Sequence, residues 1–257
     1  MRKNLIAVAV AGALSISALP VFAADAPSPF TGNVGFATEY LYRSIAQTAG
    51  KPALQGGFDY AHPSGAYVGV WGSNISWLEN AGVSSASLEV DVYGGFKKSM
   101  GDLGFDVGVL TYNYPGKLSP GATKPETTEL YGAVSWKFLT LKYSHSTTNL
   151  FGVANSKNSG FLELNMSYDL GDGWGVTGHV GQQKIKNVAN KAGDYTAYKL
   201  GVTKDLGVGV LGLTLSTTNA KDNCSTGEFY CFQSRPAGAF DYSAGKSRAV
   251  LSFNKTF

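Results

Sequence analysis

Leu162-Glu163-Leu164-Asn165-Met166-Ser167-Tyr168-Asp169-Leu170 alternates apolar and polar side chains without a break. Period two places successive side chains on opposite faces of an extended chain, so this stretch predicts a strand with one oily and one polar side. Val90-Asp91-Val92 repeats the pattern. Working outward, twelve segments of about ten residues begin near 32, 53, 66, 87, 103, 127, 139, 160, 174, 195, 209 and 247. A tilted strand needs about 9–11 residues to cross a bilayer. A β-sandwich shares the alternation but has no need of segments so uniformly long.

The connections separate the two architectures. Brief turns stand near His62-Pro63-Ser64-Gly65, Ser99-Met100-Gly101-Asp102, Phe138-Leu139, Gly171-Asp172-Gly173 and Leu206-Gly207-Val208. Longer polar loops stand near 43–52, 77–86, 114–126, 149–159, 186–194 and 219–246, in strict alternation with the turns. Short turns on one side and long loops on the other are the asymmetry of an outer-membrane barrel, with the short side in the periplasm. An even number of strands closes the sheet and leaves no unpaired backbone edge in lipid. The expectation is an all-β, antiparallel, up-and-down transmembrane barrel of about twelve strands with periplasmic termini.

Composition agrees. Only 15% of the 257 residues are charged, against roughly 25% in ordinary soluble domains, while the chain carries 33 Gly, 14 Tyr, 14 Phe and 4 Trp. Plentiful aromatics and a net charge of +3 exclude a disordered chain. Past residue 23 no apolar run approaches the ~18 residues of a spanning helix. The start reads as an export signal: Arg2 and Lys3, an apolar stretch from Leu5 to Leu19, then Val21-Phe22-Ala23 with cleavage after Ala23. Residues 24–257 then form one barrel domain close to charge neutrality, with no basic stripe for nucleic acid.

Aromatic positions fit two interfaces. Phe58, Tyr60, Phe96, Phe105, Trp136, Phe138, Tyr168, Trp174 and Phe257 fall at the periplasmic ends of their strands, and Tyr40, Tyr42 and Trp77 near the opposite rim. The last strand, Ala249-Val250-Leu251-Ser252-Phe253-Asn254-Lys255-Thr256-Phe257, ends on an aromatic residue. It resembles the C-terminal assembly signal that barrel-assembly machinery recognises, with Phe257 as its key residue.

A family resemblance follows from Tyr42-Arg43-Ser44-Ile45-Ala46-Gln47, then Lys51-Pro52-Ala53-Leu54-Gln55-Gly56-Gly57-Phe58-Asp59-Tyr60. The similarity continues through Gly65-Ala66-Tyr67-Val68-Gly69-Val70-Trp71-Gly72-Ser73-Asn74 and Glu89-Val90-Asp91-Val92-Tyr93-Gly94-Gly95-Phe96. Over 33–96 the chain resembles the TorF family of porins, also catalogued as a conserved proteobacterial outer-membrane family of unknown function. Ser44 and Ala46 replace that family's usual Gly and Ser. The resemblance implies transport without naming a substrate.

Alternation places Glu39, Gln55, Asp59, Glu89, Asp91, Tyr93, Asp106, Glu129, Tyr131, Lys137, Lys142, Glu163, Asn165, Lys199 and Arg248 toward the lumen, as candidate pore-lining residues. Acids come mostly from early strands and bases from later ones, with Glu129 and Glu163 breaking the separation. Opposed charges set a transverse field that orients dipolar solutes in a water-filled pore. The same charges could instead pair into a plug. Twelve strands lie between filled eight-stranded barrels and open sixteen-stranded ones, so size leaves both readings standing. Inward Gly57, Gly95, Gly104, Gly108, Gly181 and Gly201 favour open volume.

Cys224 and Cys231 sit in the longest loop, and an oxidising compartment makes a disulfide the expected state. Neither a third Cys nor a His stands near them to complete a zinc site, and no cofactor is implied. A hydrolase would need His and nucleophile on one face; His62-Pro63-Ser64 has the spacing but lies in a short turn, and His145 and Ser146 point to opposite faces. No catalytic residue is assigned. The expected function is a porin-like channel for passive or facilitated diffusion of small hydrophilic solutes. Its expected partners are outer-membrane lipid and lipopolysaccharide, the assembly machinery and the solute. The alternative is a non-transporting structural or adhesive barrel acting through its extracellular loops.

Overall fold

A computed structural model describes residues 28–257, so the expected leader at 1–23 lies outside the described residues. Seven strands and one short helix come first: β1 (Phe30–Ala37), β2 (Leu41–Tyr42), β3 (Ile45–Ala46), β4 (Ala53–Ala61), β5 (Ala66–Asn74), α1 (Trp77–Asn80), β6 (Leu88–Met100) and β7 (Leu103–Asn113). Then follow β8 (Thr127–Trp136), β9 (Leu139–Ser146), β10 (Gly160–Gly171), β11 (Trp174–Lys184), β12 (Tyr195–Asp205) and β13 (Val210–Thr218). The chain ends with β14 (Cys231–Gln233), β15 (Phe240–Ser243) and β16 (Arg248–Thr256).

Twelve of these strands close into one antiparallel barrel in the order β1-β16-β13-β12-β11-β10-β9-β8-β7-β6-β5-β4. Each barrel strand pairs with its sequence neighbour in the sheet, and β1 pairs with β16 through Asn33↔Thr256 to Ala37↔Ser252. Every edge of these twelve strands therefore meets another, the condition a sheet must satisfy in hydrocarbon. β2–β3 and β14–β15 are small hairpins inside two of the long loops.

Period two sorts the side chains as expected. On β10, Leu162 and Leu164 point outward and are exposed, while Glu163 and Asn165 point inward. The same outward exposure holds for Val68 and Val70 on β5 and for Leu211, Leu213 and Leu215 on β13. Continued around the wall, this surface greatly exceeds the ~300–600 Å² apolar patches of soluble monomers. Lipid, not water, is the solvent it fits.

The rim bearing the short turns also bears both ends of the barrel: Phe30 pairs with Tyr60 beside the 62–65 turn. There Phe58, Phe96, Phe105, Trp136, Phe138, Tyr168, Trp174 and Phe257 stand exposed, with Tyr60 half-buried among them. Tyr40 and Tyr42 depart from the expectation of a second aromatic rim. Both are buried, because the first loop turns into the barrel and carries them with it. Trp77 is on α1, its ring edge-on to Tyr114 at 5.7 Å.

Candidate functional site: the lumen and its hairpin

The inner wall divides by charge, apart from Lys97 on β6, which stands among the acids 3.8 Å from Asp106. Asp59 (β4), Glu89 and Asp91 (β6), Asp106 (β7) and Glu129 (β8) come from strands grouped together in the barrel order, whereas Lys142 (β9), Lys199 (β12) and Arg248 (β16) come from the rest of the wall. Glu163 on β10 sits among the bases: it is directly opposite Lys142 in the register and accepts from Asn165 Nδ2 at 3.0 Å. His179 Nδ1 lies 2.8 Å from Asn165 Oδ1 and 3.5 Å from Glu163.

Three lumen tyrosines line the acidic half. Tyr67 donates to Asp106 at 2.6 Å and shares a short contact with the Tyr131 hydroxyl, and Tyr93 donates to Asp59 at 2.6 Å. Their rings lie over glycines of the neighbouring strands. A Cβ on Gly69 would come within 2.5 Å of Tyr93, and one on Gly95 or Gly108 within 2.5 Å of the Tyr67 or Tyr131 hydroxyl. Gly181 likewise makes room for Phe161, and Gly104 for Ser135. The inward glycines were expected to open the lumen; instead they let neighbours lie against the wall, with Gly57 close to Trp71 and Gly201 to Thr177 and Thr214.

The first loop dominates the interior. All nine residues from Tyr40 to Thr48 are buried. Leu41–Tyr42 pairs with Ile45–Ala46 across a two-residue turn, and Arg43 (φ 46°) and Ser44 (φ 68°) both take the left-handed conformation such a turn demands. The hairpin packs Leu41, Ile45 and Ala46 against Tyr195, Tyr230 and Ala244 on one side. On the other, Tyr40 and Tyr42 meet Ile75, Leu110, Tyr112 and Tyr114. Its polar groups are held as firmly. Tyr40 donates to Glu89 at 2.6 Å, the Tyr42 and Tyr112 hydroxyls are 2.6 Å apart, and Tyr195 donates to the Arg43 carbonyl at 3.0 Å.

Arg43 at the tip reaches two strands. Its guanidinium donates to Glu129 Oε2 at 2.7 Å and to Gln183 Oε1 at 3.0 Å, and lies 4.4 Å from the Phe161 ring centroid. Tyr112 donates to the same Glu129 oxygen at 3.2 Å. Glu89 accepts a second bond, from Tyr114 at 2.9 Å. Asp91 Oδ1 and Glu129 Oε1 are buried without a hydrogen-bond partner.

The long loops roof this hairpin. Ala46 N–H donates to Ala244 of the last loop at 3.0 Å, and Ala244 N–H donates to Tyr230 at 3.0 Å. Cys224 and Cys231 are disulfide-bonded beside them. Asn80 on α1 donates to Gln233 of β14 at 3.1 Å. At the base of the first loop, Glu39 accepts from Arg248 Nε at 2.8 Å and from Tyr242. Burial and the bond to Glu39 push the Tyr242 phenol up to about 12, so it stays a donor.

Of the fifteen residues expected to line a pore, Lys137 is displaced. It occupies the β8–β9 turn with φ 53°, exposed beside the Trp136 ring, because the tight turn takes it out of the strand's alternation. Gln55, Glu89, Asp91, Glu129, Lys142 and Asn165 are buried inside, with Glu39, on the loop that follows β1, buried as well. Asp59, Tyr93, Asp106, Tyr131, Glu163, Lys199 and Arg248 are half-buried there. Arg43, Phe161 and Gln183 were absent from that set. The apolar pairs flanking Arg43-Ser44, in what otherwise reads as a polar loop, are the signal for the first of them. His62 Nδ1 and Ser64 Oγ are 2.8 Å apart in their exposed turn, where Ser64 N–H also donates to Nδ1 at 3.1 Å.

A family model described as a bacterial protein of unknown function (Gcw_chp) matches residues 22–257; its description does not carry the TorF name. No curated protein matches the chain. Among solved structures, the KdgM porin in complex with disordered oligogalacturonate is similar at a TM-score of 0.52 and 6% identity, covering 88% of this chain and 98% of that one. The NanC porin is similar at 0.51 and 10% identity, covering 88% and 98%. At such identities the likeness is one of fold.

Proposed function

The chain belongs to this Gcw_chp family, and on that premise we propose that it is a porin-like channel of the bacterial outer membrane, passing small hydrophilic solutes by passive or facilitated diffusion. Its termini and short turns face the periplasm and its long loops the exterior. The observation that carries this reading is the polarity of the wall. An apolar outer face encloses a lumen in which Asp106 and Lys97, at 26% and 37% side-chain exposure, remain accessible on the short-turn side. Ionisable groups at membrane depth are costly and mark solute pathways. The TorF resemblance over 33–96 and the porin-like fold support the same reading.

The divided charges give the pathway a transverse field, strongest in effect on solutes that carry both signs. On this reading the partners are outer-membrane lipid and lipopolysaccharide, the assembly machinery and the solute itself. The buried hairpin favours a second reading, a closed barrel that serves structure or adhesion through its loops. Liposome swelling with a solute panel separates the two. Small zwitterions and sugars should enter faster than into protein-free vesicles, with rates falling as solute size rises. Swelling equal to protein-free vesicles for every solute overturns the channel and leaves the structural barrel.

A further inference from the structure

We infer that the wall around Glu129 is a binding site for planar organic cations bearing a guanidinium or amidinium group, and that Arg43 is its tethered occupant. The receptor groups belong to the barrel, not to the hairpin: Glu129 on β8, Gln183 on β11, Phe161 on β10 and Tyr112 on β7. The first three each meet a different part of one flat cation, and Tyr112 donates to the Glu129 carboxylate at 3.2 Å. Glu129 accepts from one nitrogen at 2.7 Å and Gln183 from the other at 3.0 Å, while the Phe161 ring stands 4.4 Å from the central carbon. A compact ammonium can pair with a carboxylate, but it has no flat face to stack and no fork of donors to spread between two strands.

Charge supports a cation site with or without Arg43. Glu89, Asp91, Glu129 and Glu163 face Arg43, Lys142 and Lys199 in this part of the lumen. Lys142 lies over the Tyr131 ring at 4.4 Å. Glu129 Oε1 and Asp91 Oδ1 remain partnerless and buried, so acceptor capacity exceeds what the hairpin supplies.

The occupant is removable in a way the wall is not. Arg43 is carried by a ladder of two residue pairs, Leu41↔Ala46 and Tyr42↔Ile45, whereas β1 and β4, which flank it in sequence, pair over eight positions. The hairpin contributes no strand to the closed barrel, so displacing it costs the packing of Leu41, Ile45, Tyr40 and Tyr42 but leaves the ring of strands paired. A solute ending in a guanidinium group therefore competes with Arg43 for the same three contacts. Where it succeeds, the hairpin gives way and the lumen widens. The site rests on the channel reading only for how such a solute arrives.

Calorimetry on the full chain folded in detergent tests binding without requiring conduction. The probes are guanidinium and arginine amide at non-denaturing concentrations, with tetramethylammonium as the unforked control. Arg43→Ala should bind both forked probes at least about tenfold more tightly than the wild type, whose tethered side chain competes at high effective concentration. Adding Glu129→Gln should abolish that binding. Arg43→Gln, which keeps a polar side chain on the turn, is read the same way if Arg43→Ala fails to fold. No binding to a folded Arg43 variant overturns the inference, as does equal binding of tetramethylammonium or survival of binding in the Glu129→Gln double variant. Conduction without binding sinks this inference alone, and binding without conduction sinks only the channel.

Discussion

Arg43 and Glu129, 86 positions apart in sequence, form an ion pair of 2.7 Å in the barrel interior, at 7% and 1% side-chain exposure. Removing one partner of a buried pair leaves the other charged and alone, at a cost of about 3–5 kcal/mol. Glu129→Ala should therefore undock the hairpin tip while the barrel persists. Limited trypsin digestion checks this: cleavage after Arg43 should become rapid in the variant and stay negligible in the wild type. Equal protection would mean that the apolar packing of Leu41, Ile45 and Ala46 suffices by itself.

The Cys224–Cys231 bridge closes a loop with a sequence separation of 7 and backs Tyr230, whose carbonyl accepts from Ala244. Chain-entropy arguments give so short a closure about 2–3 kcal/mol. The double Cys→Ser variant should keep the barrel's thermal transition but become protease-sensitive between 219 and 246. Mass spectrometry of the fragments locates the cuts.

Leu213 lies midway along β13, 44% exposed on the outer face between Val202 and Leu251. A charge there meets hydrocarbon, so Leu213→Arg should cost about 2–4 kcal/mol in lipid vesicles, by equilibrium denaturation. Thr214→Arg, directed inward by the next half-period, should cost much less. Similar costs at both positions would contradict the inside–outside assignment.

Phe257 closes the barrel: its N–H donates to Gly32 at 2.9 Å, its carbonyl accepts from Gly32 at 2.7 Å, and its ring covers that glycine. Deleting Phe257 should cut the amount inserted in the outer membrane severalfold, measured by cell fractionation, because both seam bonds and the aromatic assembly signal go together. Unchanged insertion would remove Phe257 from any role in assembly.

The barrel itself was legible because alternation and turn chemistry are local. The expected starts at 53, 66, 103, 127, 139, 160, 174 and 195 coincide with β4, β5, β7, β8, β9, β10, β11 and β12, and the other four fall within two residues. What escaped depends on contacts between distant residues. The apolar pairs flanking Arg43-Ser44 hint at a buried loop but not at its partners: Tyr40 and Tyr42 are buried against Glu89, Tyr112, Ile75 and Leu110 across the lumen. Inward glycines suggested open space, yet neighbouring side chains fill it: Tyr67 at Gly95, Tyr131 at Gly108, Ser135 at Gly104 and Phe161 at Gly181. Lys137 failed for a simpler reason: strand parity does not survive a tight turn.

The proposed channel is tested most directly by single-channel recording in planar bilayers, comparing the wild type with a variant whose Leu41–Ala46 hairpin is replaced by a short glycine turn. Discrete small openings in the wild type and larger ones in the variant are the predicted result. A bilayer that stays at background conductance with both proteins would contradict it.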